Sequence, residues 1–494
     1  MLTSADHPLF FACVEPPAGG TIGMTICPGK QAWGVDGRHE RDLETDLDAV
    51  REWGAAALVT LMEGDELARL AAPPDVWRES VARRGVEWHH LPIVDGDVPQ
   101  EDFEDRWIYS GVRLRRLLRA GARVAVHCRG GLGRTGTIAA RLLIELGESP
   151  AAAVRRVRAA RTGAIENAAQ EACVAACRPC GDDGTLDRQV ASIAGGAVGD
   201  GFGYAVEFDR LPAIRARFGA HGITRPVFQQ GKLVVSDDTQ MTLFTLDGLV
   251  EGNLRTAYLD WLATQQGTVG RSALAHDPAM RHRRAPGNTC LSALQSGGRG
   301  TVERPVNDSK GCGGVMRVAP VGLFPQRWDA RGAFRAGAEA AAITHGHPSG
   351  YLSAGALAAL VRLLVGGAGL EESARETLGI LREWRGHEET ARLFEQAMGP
   401  VGAAAELGEG WVGEEALALG LWAARTGGSF AETLALASNH DGDSDSTASI
   451  AGQIRGAWKG LDGMPHEWIA ALDVFDAMAR VMRRAFGAGG RERT

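Results

Sequence analysis

The sequence predicts two domains of different class: an α/β domain with a central, mainly parallel sheet over residues 1–180, and an all-α helical bundle over residues 183–494. Three observations carry this. The chain has 494 residues, more than one hydrophobic core usually serves, since domains run to roughly 50–250 residues. As far as Gly147, apolar runs of strand length alternate with segments of helical period, the rhythm of a parallel α/β sheet. Beyond Leu186 the segments are rich in Ala, Gly and Leu, with helical period throughout.

In chain order, Leu43, Leu47 and Val50 mark one face of a helix, and Ala57–Met62 is an apolar run of strand length. Val86–Ile93 is a second strand candidate, Phe103–Leu118 reads as a helix, and Arg123–Val126 is a short strand leading into a Gly-rich turn. Ser149 and Pro150 suit the N-cap and first turn of a further helix. Arg178–Asp187 reads as a polar linker. In the second half, Leu352–Val365, Glu414–Ala424 and Phe430–Ala437 have helical period, and Gly195, Gly196 and Gly199 would let helices approach closely.

Composition narrows the function classes. With 53 Lys and Arg against 61 Asp and Glu, the net charge of -8 offers no long-range attraction to nucleic acid or an acidic membrane. A phosphate-bearing substrate must be held by local features. The apolar stretch Leu9–Val14 is far shorter than a signal h-region or a membrane span, so a cytoplasmic location with no membrane partner is expected. Eight cysteines at irregular intervals argue for free thiols.

The stretch Val124–Gly136 reads Val-Ala-Val-His-Cys-Arg-Gly-Gly-Leu-Gly-Arg-Thr-Gly, with five residues between Cys128 and Arg134. A strand, Gly-rich loop and helix in this order aim several backbone N–H groups at one concavity, with the positive end of the helix behind it. Those donors suit a phosphate, and they would favour the thiolate of a cysteine at the floor, the form that attacks phosphorus. Gly131 and Gly133 permit the loop's dihedrals, and Arg134 can grip two phosphate oxygens at once.

This stretch resembles the signature of the protein tyrosine and dual-specificity phosphatases, over roughly residues 20 to 176. The resemblance implies a phosphocysteine intermediate on Cys128, transition-state stabilisation by Arg134, and assistance to its breakdown by the Thr135 hydroxyl. Leu91-Pro92-Ile93-Val94-Asp95-Gly96-Asp97 resembles the family's general-acid loop, with Asp95 the acid and Asp97 the reserve. Gln170 resembles the glutamine that positions the hydrolytic water. No cofactor is implied for this domain.

Two acidic clusters stand about two hundred residues apart, Ser236-Asp237-Asp238-Thr239 and Asp441-Gly442-Asp443-Ser444-Asp445-Ser446-Thr447. Carboxylates with neighbouring hydroxyls, and no His or Cys among them, make a hard oxygen site suited to Mg²⁺ or Mn²⁺. Together they resemble the ADP-ribosylglycohydrolase family, as do Ala194–Asp200, Val206–Phe208 and Gly311-Cys312-Gly313-Gly314-Val315-Met316-Arg317, over residues 186 to 486. The resemblance implies two divalent ions on Ser236, Asp237, Asp238, Asp443, Asp445 and Ser446. It further implies Glu207 as acid/base residue, and a substrate loop at Gly313 and Gly314 with a further contact from His345.

The expected chemistry is cleavage of an N-glycosidic bond with release of ADP-ribose. Asp441 stands where the family commonly has glycine and Ser446 where threonine is frequent; Ser446 and the Lys310–Gly313 run look closer to the arginine-directed branch. The partners implied are ADP-ribosylated and phosphorylated proteins. Two other readings remain: a phosphatase fold that only delivers the glycohydrolase to its target, and two enzymes of small nucleotide metabolites. The C-x₃-C-x₂-C spacing of Cys173, Cys177 and Cys180 is read as chance, since it falls at the end of the first domain's last helix.

Overall fold

A computed structural model describes the chain except residues 35, 36, 182 and 488–494. The chain divides into two compact units, Met1–Asp183 and Gly184–Thr494.

The first unit runs β1 (Ala12–Val14), β2 (Thr21–Thr25), β3 (Gln31–Gly34), β4 (Gly37–Glu40), α1 (Leu43–Glu52), β5 (Ala55–Thr60), α2 (Gly64–Leu70), α3 (Pro74–Ala82), β6 (Glu87–His90), α4 (Glu101–Arg119), β7 (Arg123–His127), α5 (Gly133–Glu145), α6 (Pro150–Ala160) and α7 (Ala168–Ala176). Five strands form one mixed sheet in the order β1-β2-β7-β5-β6, parallel except for the β1–β2 pair, and β3 and β4 form a separate hairpin. Strands β5 and β7 are apolar because helices cover both faces: Leu58, Val59, Val124 and Val126 are fully buried. Register brings Thr25, His127, Thr60 and His90 level at the carboxyl ends of the parallel strands, where open α/β sheets place their ligands. Ser149 caps α6 by accepting from the Ala152 amide, with Pro150 in the first turn.

The second unit is helical: α8 (Gly184–Tyr204), α9 (Leu211–Phe218), α10 (Asp237–Glu251), α11 (Leu254–Gln265), α12 (Ala273–His276), α13 (Asn288–Gln295), α14 (Ala319–Gly322), α15 (Ala330–Ala342), α16 (Pro348–Val365), α17 (Leu370–Leu381), α18 (Glu388–Met398), α19 (Gly413–Thr426), α20 (Phe430–Ser438), α21 (Ser444–Lys459), α22 (His466–Ala470) and α23 (Phe475–Phe486). The apolar α16 has the length and hydropathy of a membrane span, yet 83% of it is buried as a core helix. Helix α8 begins at Gly184, so the polar linker read over Arg178–Asp187 is shorter than expected. Asp187 lies in that helix's first turn, where its carboxylate accepts the Leu461 amide at 3.2 Å.

Helices α8 and α21 run antiparallel and nearly touch. A Cβ on Gly195 would lie 2.6 Å from the Gly452 carbonyl oxygen, one on Gly199 2.1 Å from that of Ala448, and one on Gly203 2.1 Å from that of Ser444. Glycines four apart thus form a stripe against which the facing backbone packs directly. This approach sets the carboxyl end of α8, which bears Asp200 and leads to Glu207, beside the amino end of α21.

Two candidate active sites

In the first unit, Cys128 follows β7 and Arg134 sits in the first turn of α5, both buried. Gly131 between them has φ +69°, and a Cβ there would lie 2.2 Å from the Thr25 carbonyl oxygen, so only glycine fits. The loop is held from outside by Arg161, which donates to the Gly130 carbonyl at 2.9 Å. His127 bonds Thr60 Oγ1 at 2.7 Å and stacks on Trp77; burial, chiefly, lowers its pKa to about 3, which keeps the ring neutral. Thr135 Oγ1 and Arg134 Nε are buried with no hydrogen-bond partner, which leaves two donors for a ligand at the cysteine.

Arg134 is aimed by an acid the motif did not reveal. Glu66 of α2 accepts from Nη1 at 2.7 Å and from Nη2 at 2.9 Å, and the Ile93 carbonyl accepts from Nη1 at 2.9 Å. Burial works against the guanidinium charge, but Glu66, Cys128 and Asp95 outweigh it and hold Arg134 above its ordinary range. Asp95 itself is 61% exposed, with Oδ1 2.8 Å from Arg134 Nη2, so the structure brings the residue expected as general acid to the arginine expected to grip phosphate. Asp97 turns to its own loop, accepting from the Val98 amide and from Gln100. Gln170 is fully buried, takes the Glu166 amide on Oε1 and lies against Gly133, where a Cβ would sit 2.8 Å from its Nε2. Asn167, which caps α7, donates to the Gly96 carbonyl at 2.8 Å and ties the Asp95 loop to that helix.

In the second unit both acidic clusters open helices. Ser236 caps α10 by accepting the Asp238 amide, and Asp443 caps α21 by accepting the Ser446 amide, positions where a helix favours negative charge. The bundle brings the two clusters together. The charge of Asp443 acts on Asp238, and those of Asp238 and Asp443 act on Asp445. Burial first, and then the neighbouring carboxylates, raise Asp237, Asp238 and Asp445 well above the usual carboxylate range. Burial followed by Asp443, Asp237 and Asp200 lifts Glu207 to about 9. Asp200 positions the first cluster, accepting the Ser236 amide at 2.9 Å, the Thr239 amide at 2.9 Å and the Thr239 hydroxyl.

Asp238 Oδ2 and Glu207 Oε2 are buried without any partner. Buried carboxylate oxygens that are left unpaired amid like charges are the environment a divalent cation relieves, and the donors present, carboxylates with serine hydroxyls, fit Mg²⁺ or Mn²⁺.

The segment expected as the substrate loop turns at Cys312–Gly314, and Cys312 touches Asp443 of this cluster. Gly313 must lack a side chain, since a Cβ would lie 2.9 Å from Cys290 Sγ, and Gly314 packs 2.7 Å from the Gly350 carbonyl by the same measure. Arg317, wholly buried, pins the loop by donating to the Gly313 carbonyl at 2.8 Å and to Thr344 Oγ1 at 2.8 Å, with its guanidinium over Tyr258. His345 backs the loop from beneath: it is 1% exposed, bonds Thr344 Oγ1 through Nδ1, and is kept neutral by burial and Arg317, its pKa lowered to about 3.

Four residues were without a role in the sequence reading: Glu66, Asp200, Arg317 and Cys312. Cys312 matters most, because its Sγ lies 2.8 Å from Asp443 Oδ2, so the cluster read as purely oxygen has a thiol at its edge. Cys173, Cys177 and Cys180 are raised by burial, Cys177 to about 12, the reverse of what thiolate ligands need.

A family model of the ADP-ribosylglycohydrolases matches residues 182–493. A model described as a Swiss Army Knife protein, DSP-PTPase phosphatase domain, matches residues 34–174. The ADP-ribosylarginine hydrolase Tri1 of Pseudomonas putida is 26% identical over 290 residues, 58% of this chain and 74% of that protein. The ADP-ribosyl-(dinitrogen reductase) glycohydrolase of Rhodospirillum rubrum is 26% identical over 312 residues, 61% of this chain and 95% of that protein. A probable protein tyrosine phosphatase type IVA B of Dictyostelium discoideum is 37% identical over 86 residues, 17% of this chain and 52% of that protein, so the chain spans about half of that phosphatase. With both hydrolase family models falling on the units that hold the two sites, the chain belongs to the ADP-ribosylglycohydrolase family and carries a DSP-PTPase phosphatase domain ahead of that domain.

Proposed function

We propose that the chain is a bifunctional hydrolase that removes phosphate from phosphorylated protein and ADP-ribose from the arginine side chains of modified protein. The observation that carries the second activity is the buried nest of carboxylates in which Asp238 Oδ2 and Glu207 Oε2 lack partners. The family generally depends on divalent metal. Ser236, Asp237, Asp238, Asp443, Asp445 and Ser446 would hold two ions, Mg²⁺ or Mn²⁺, which supply Lewis-acid polarisation and orient the ribose hydroxyls and water. Glu207, a buried carboxyl among Asp443, Asp237 and Asp200 whose Oε2 has no partner, would serve as the acid/base residue for the departing nitrogen. Backbone N–H groups of the Gly311–Gly314 turn would receive the pyrophosphate. Arginine as the attachment point is supported by the name of the Pseudomonas putida relative, an ADP-ribosylarginine hydrolase.

In the phosphatase domain the Cys128 thiolate attacks phosphorus while the bond to the leaving oxygen breaks and Asp95 delivers its proton to that oxygen. Arg134, aimed by Glu66, holds two equatorial oxygens as charge develops on them. Water then displaces Cys128 from phosphorus, with the unpartnered Thr135 hydroxyl available to the returning thiolate and Gln170 beside the loop. This chemistry requires Cys128 to be free, in keeping with a reducing, cytoplasmic setting.

Side-by-side assays test the substrates: arginine-linked and serine-linked ADP-ribosyl protein, a phosphotyrosine peptide, a phosphothreonine peptide, and free nucleotides. Release of ADP-ribose from arginine-linked protein and of phosphate from a peptide supports the proposal. Turnover confined to free nucleotides overturns it.

A further inference from the structure

Arg317 is wholly buried, and among the described residues it meets carbonyls, a hydroxyl and sulfur rather than a carboxylate. Its guanidinium spans two neighbours at once: Nη1 donates to the Gly313 carbonyl at 2.8 Å, and Nη2 to Thr344 Oγ1 at 2.8 Å. Thr344 Oγ1 in turn lies 2.8 Å from His345 Nδ1, and one proton sits between them. Its owner follows from the neighbours. If the ring owned it, the Thr344 hydroxyl would send its own hydrogen elsewhere, and the other acceptor it reaches is the Ala341 carbonyl at 3.4 Å. That carbonyl already accepts the Thr344 amide at 3.0 Å and the His345 amide at 2.9 Å, which occupies both of its lone pairs. The hydroxyl therefore donates to Nδ1, and the Arg317 charge on its oxygen strengthens it as a donor.

A neutral imidazole carries one ring proton. Burial and the Arg317 charge keep His345 neutral, so with Nδ1 accepting, the proton is on Nε2. Among the described residues the ring's hydrogen bond is the one to Thr344 through Nδ1, and Nε2 is left without a partner. Nε2 faces the glycine turn: a Cβ on Gly311 would lie 3.5 Å from it, and one on Gly313 3.3 Å. A side chain at either position would cover this N–H. Resting on the reading of Gly311–Gly314 as the turn that receives the pyrophosphate, we infer that Thr344, held by Arg317, is a positioning residue that locks His345 in the Nε2–H tautomer and so offers a phosphate oxygen a donor from beneath the turn. One guanidinium fixes both the turn, through the Gly313 carbonyl, and the donor, through Thr344, so the two stay in register. In the other tautomer the ring would aim a lone pair at the phosphate and repel it.

The test uses the full-length protein labelled with ¹⁵N in histidine. Ring-nitrogen NMR tells a protonated from an unprotonated nitrogen, and His345→Gln identifies the His345 signals by their loss among the 13 histidines. Circular dichroism confirms that each variant is folded. The inference expects the Nε2–H tautomer in wild type and in Thr344→Ser, and a mixture of both tautomers in Thr344→Val, which keeps the volume and lacks the hydroxyl. It also expects KM for arginine-linked ADP-ribosyl protein to rise about tenfold in Thr344→Val with kcat within about twofold, and Thr344→Ser to stay within about twofold of wild type in both. A Thr344 that only filled space would leave the tautomer unmoved. An Nδ1–H tautomer in wild type, or an unchanged tautomer in folded Thr344→Val, overturns the inference alone. His345 signals that do not shift with ADP-ribose and Mg²⁺, at concentrations where calorimetry shows binding, overturn the underlying reading of the turn.

Discussion

Saturating the second unit with Mg²⁺ or Mn²⁺ should raise its melting temperature, by an amount that grows with pH. In the metal-free protein Glu207 is lifted to about 9, and Asp237, Asp238 and Asp445 are raised well above the usual range by burial and mutual repulsion. In the unfolded chain the same groups titrate near ~4 to ~4.5. Between those limits the folded chain holds protons that the unfolded chain has lost. Raised carboxyl pKa values therefore make the metal-free unit less stable as pH climbs from about 4.5 toward 9. Divalent ions bind the deprotonated carboxylates and displace those protons, so their apparent affinity strengthens over the same window.

At ~100 times the dissociation constant one bound ion contributes about 2.7 kcal/mol, and two contribute about 5 kcal/mol. The unit Gly184–Thr494 comprises roughly 310 residues, and at ~2.1 cal/mol/K per residue its unfolding entropy is about 0.65 kcal/mol/K. One ion then adds ~4 °C to the melting temperature and two add ~8 °C. The assay is differential scanning calorimetry of the full-length protein in EDTA and at one fixed concentration of Mn²⁺, at about pH 6 and about pH 8. A shift of the same size at both pH values, or one confined to the transition of the phosphatase domain, would refute the reasoning.

Cys128→Ser should reduce phosphate release below detection while ADP-ribose release stays within about twofold of wild type, because a hydroxyl at that position is a poor nucleophile; the two products are measured on one preparation. Asp95→Ala should lower turnover most for alkyl phosphates and least for aryl phosphates with good leaving groups, which scarcely need a proton. Equal losses across a leaving-group series would move the acid role away from Asp95. Asp443→Asn removes a charge that both caps α21 and faces Cys312; it should cut ADP-ribose release at least about a hundredfold at fixed Mn²⁺ and abolish the metal-dependent melting shift, as judged by the same calorimetry.

The parts legible in the sequence were those whose determinants are contiguous. Cys128 to Arg134 is one loop, and Ser236–Thr239 and Asp441–Thr447 are helix openings, so each was visible as a contiguous run and, through the resemblance it carries, as a candidate site. The α/β rhythm was readable from β5 onward because buried parallel strands are unbroken apolar runs. The antiparallel edge was not: β1 has three residues and β2 reads Thr-Ile-Gly-Met-Thr, with neither alternation nor an apolar run. Partners set by tertiary structure were equally hidden. Glu66 lies 68 residues from Arg134, Asp200 36 residues from Ser236, and Cys312 131 residues from Asp443; nothing local distinguishes these from an exposed acid or a packed thiol. The glycine stripe of α8 was readable as small residues, but its partner α21 became apparent only when the bundle closed.

Chelation tests the central claim most directly, that one chain carries a metal-independent phosphatase and a metal-dependent glycohydrolase. Phosphate release and ADP-ribose release are followed in the same sample before EDTA, after EDTA, and after restoring Mg²⁺ or Mn²⁺. In the phosphatase site Arg134 and the loop's backbone donors would meet the charge of a bound phosphate, whereas the second site holds carboxylates raised by mutual repulsion. Phosphate release should persist through all three stages, and ADP-ribose release should stop with EDTA and return with the ion. ADP-ribose release that continues in a demonstrably metal-free sample would contradict the account.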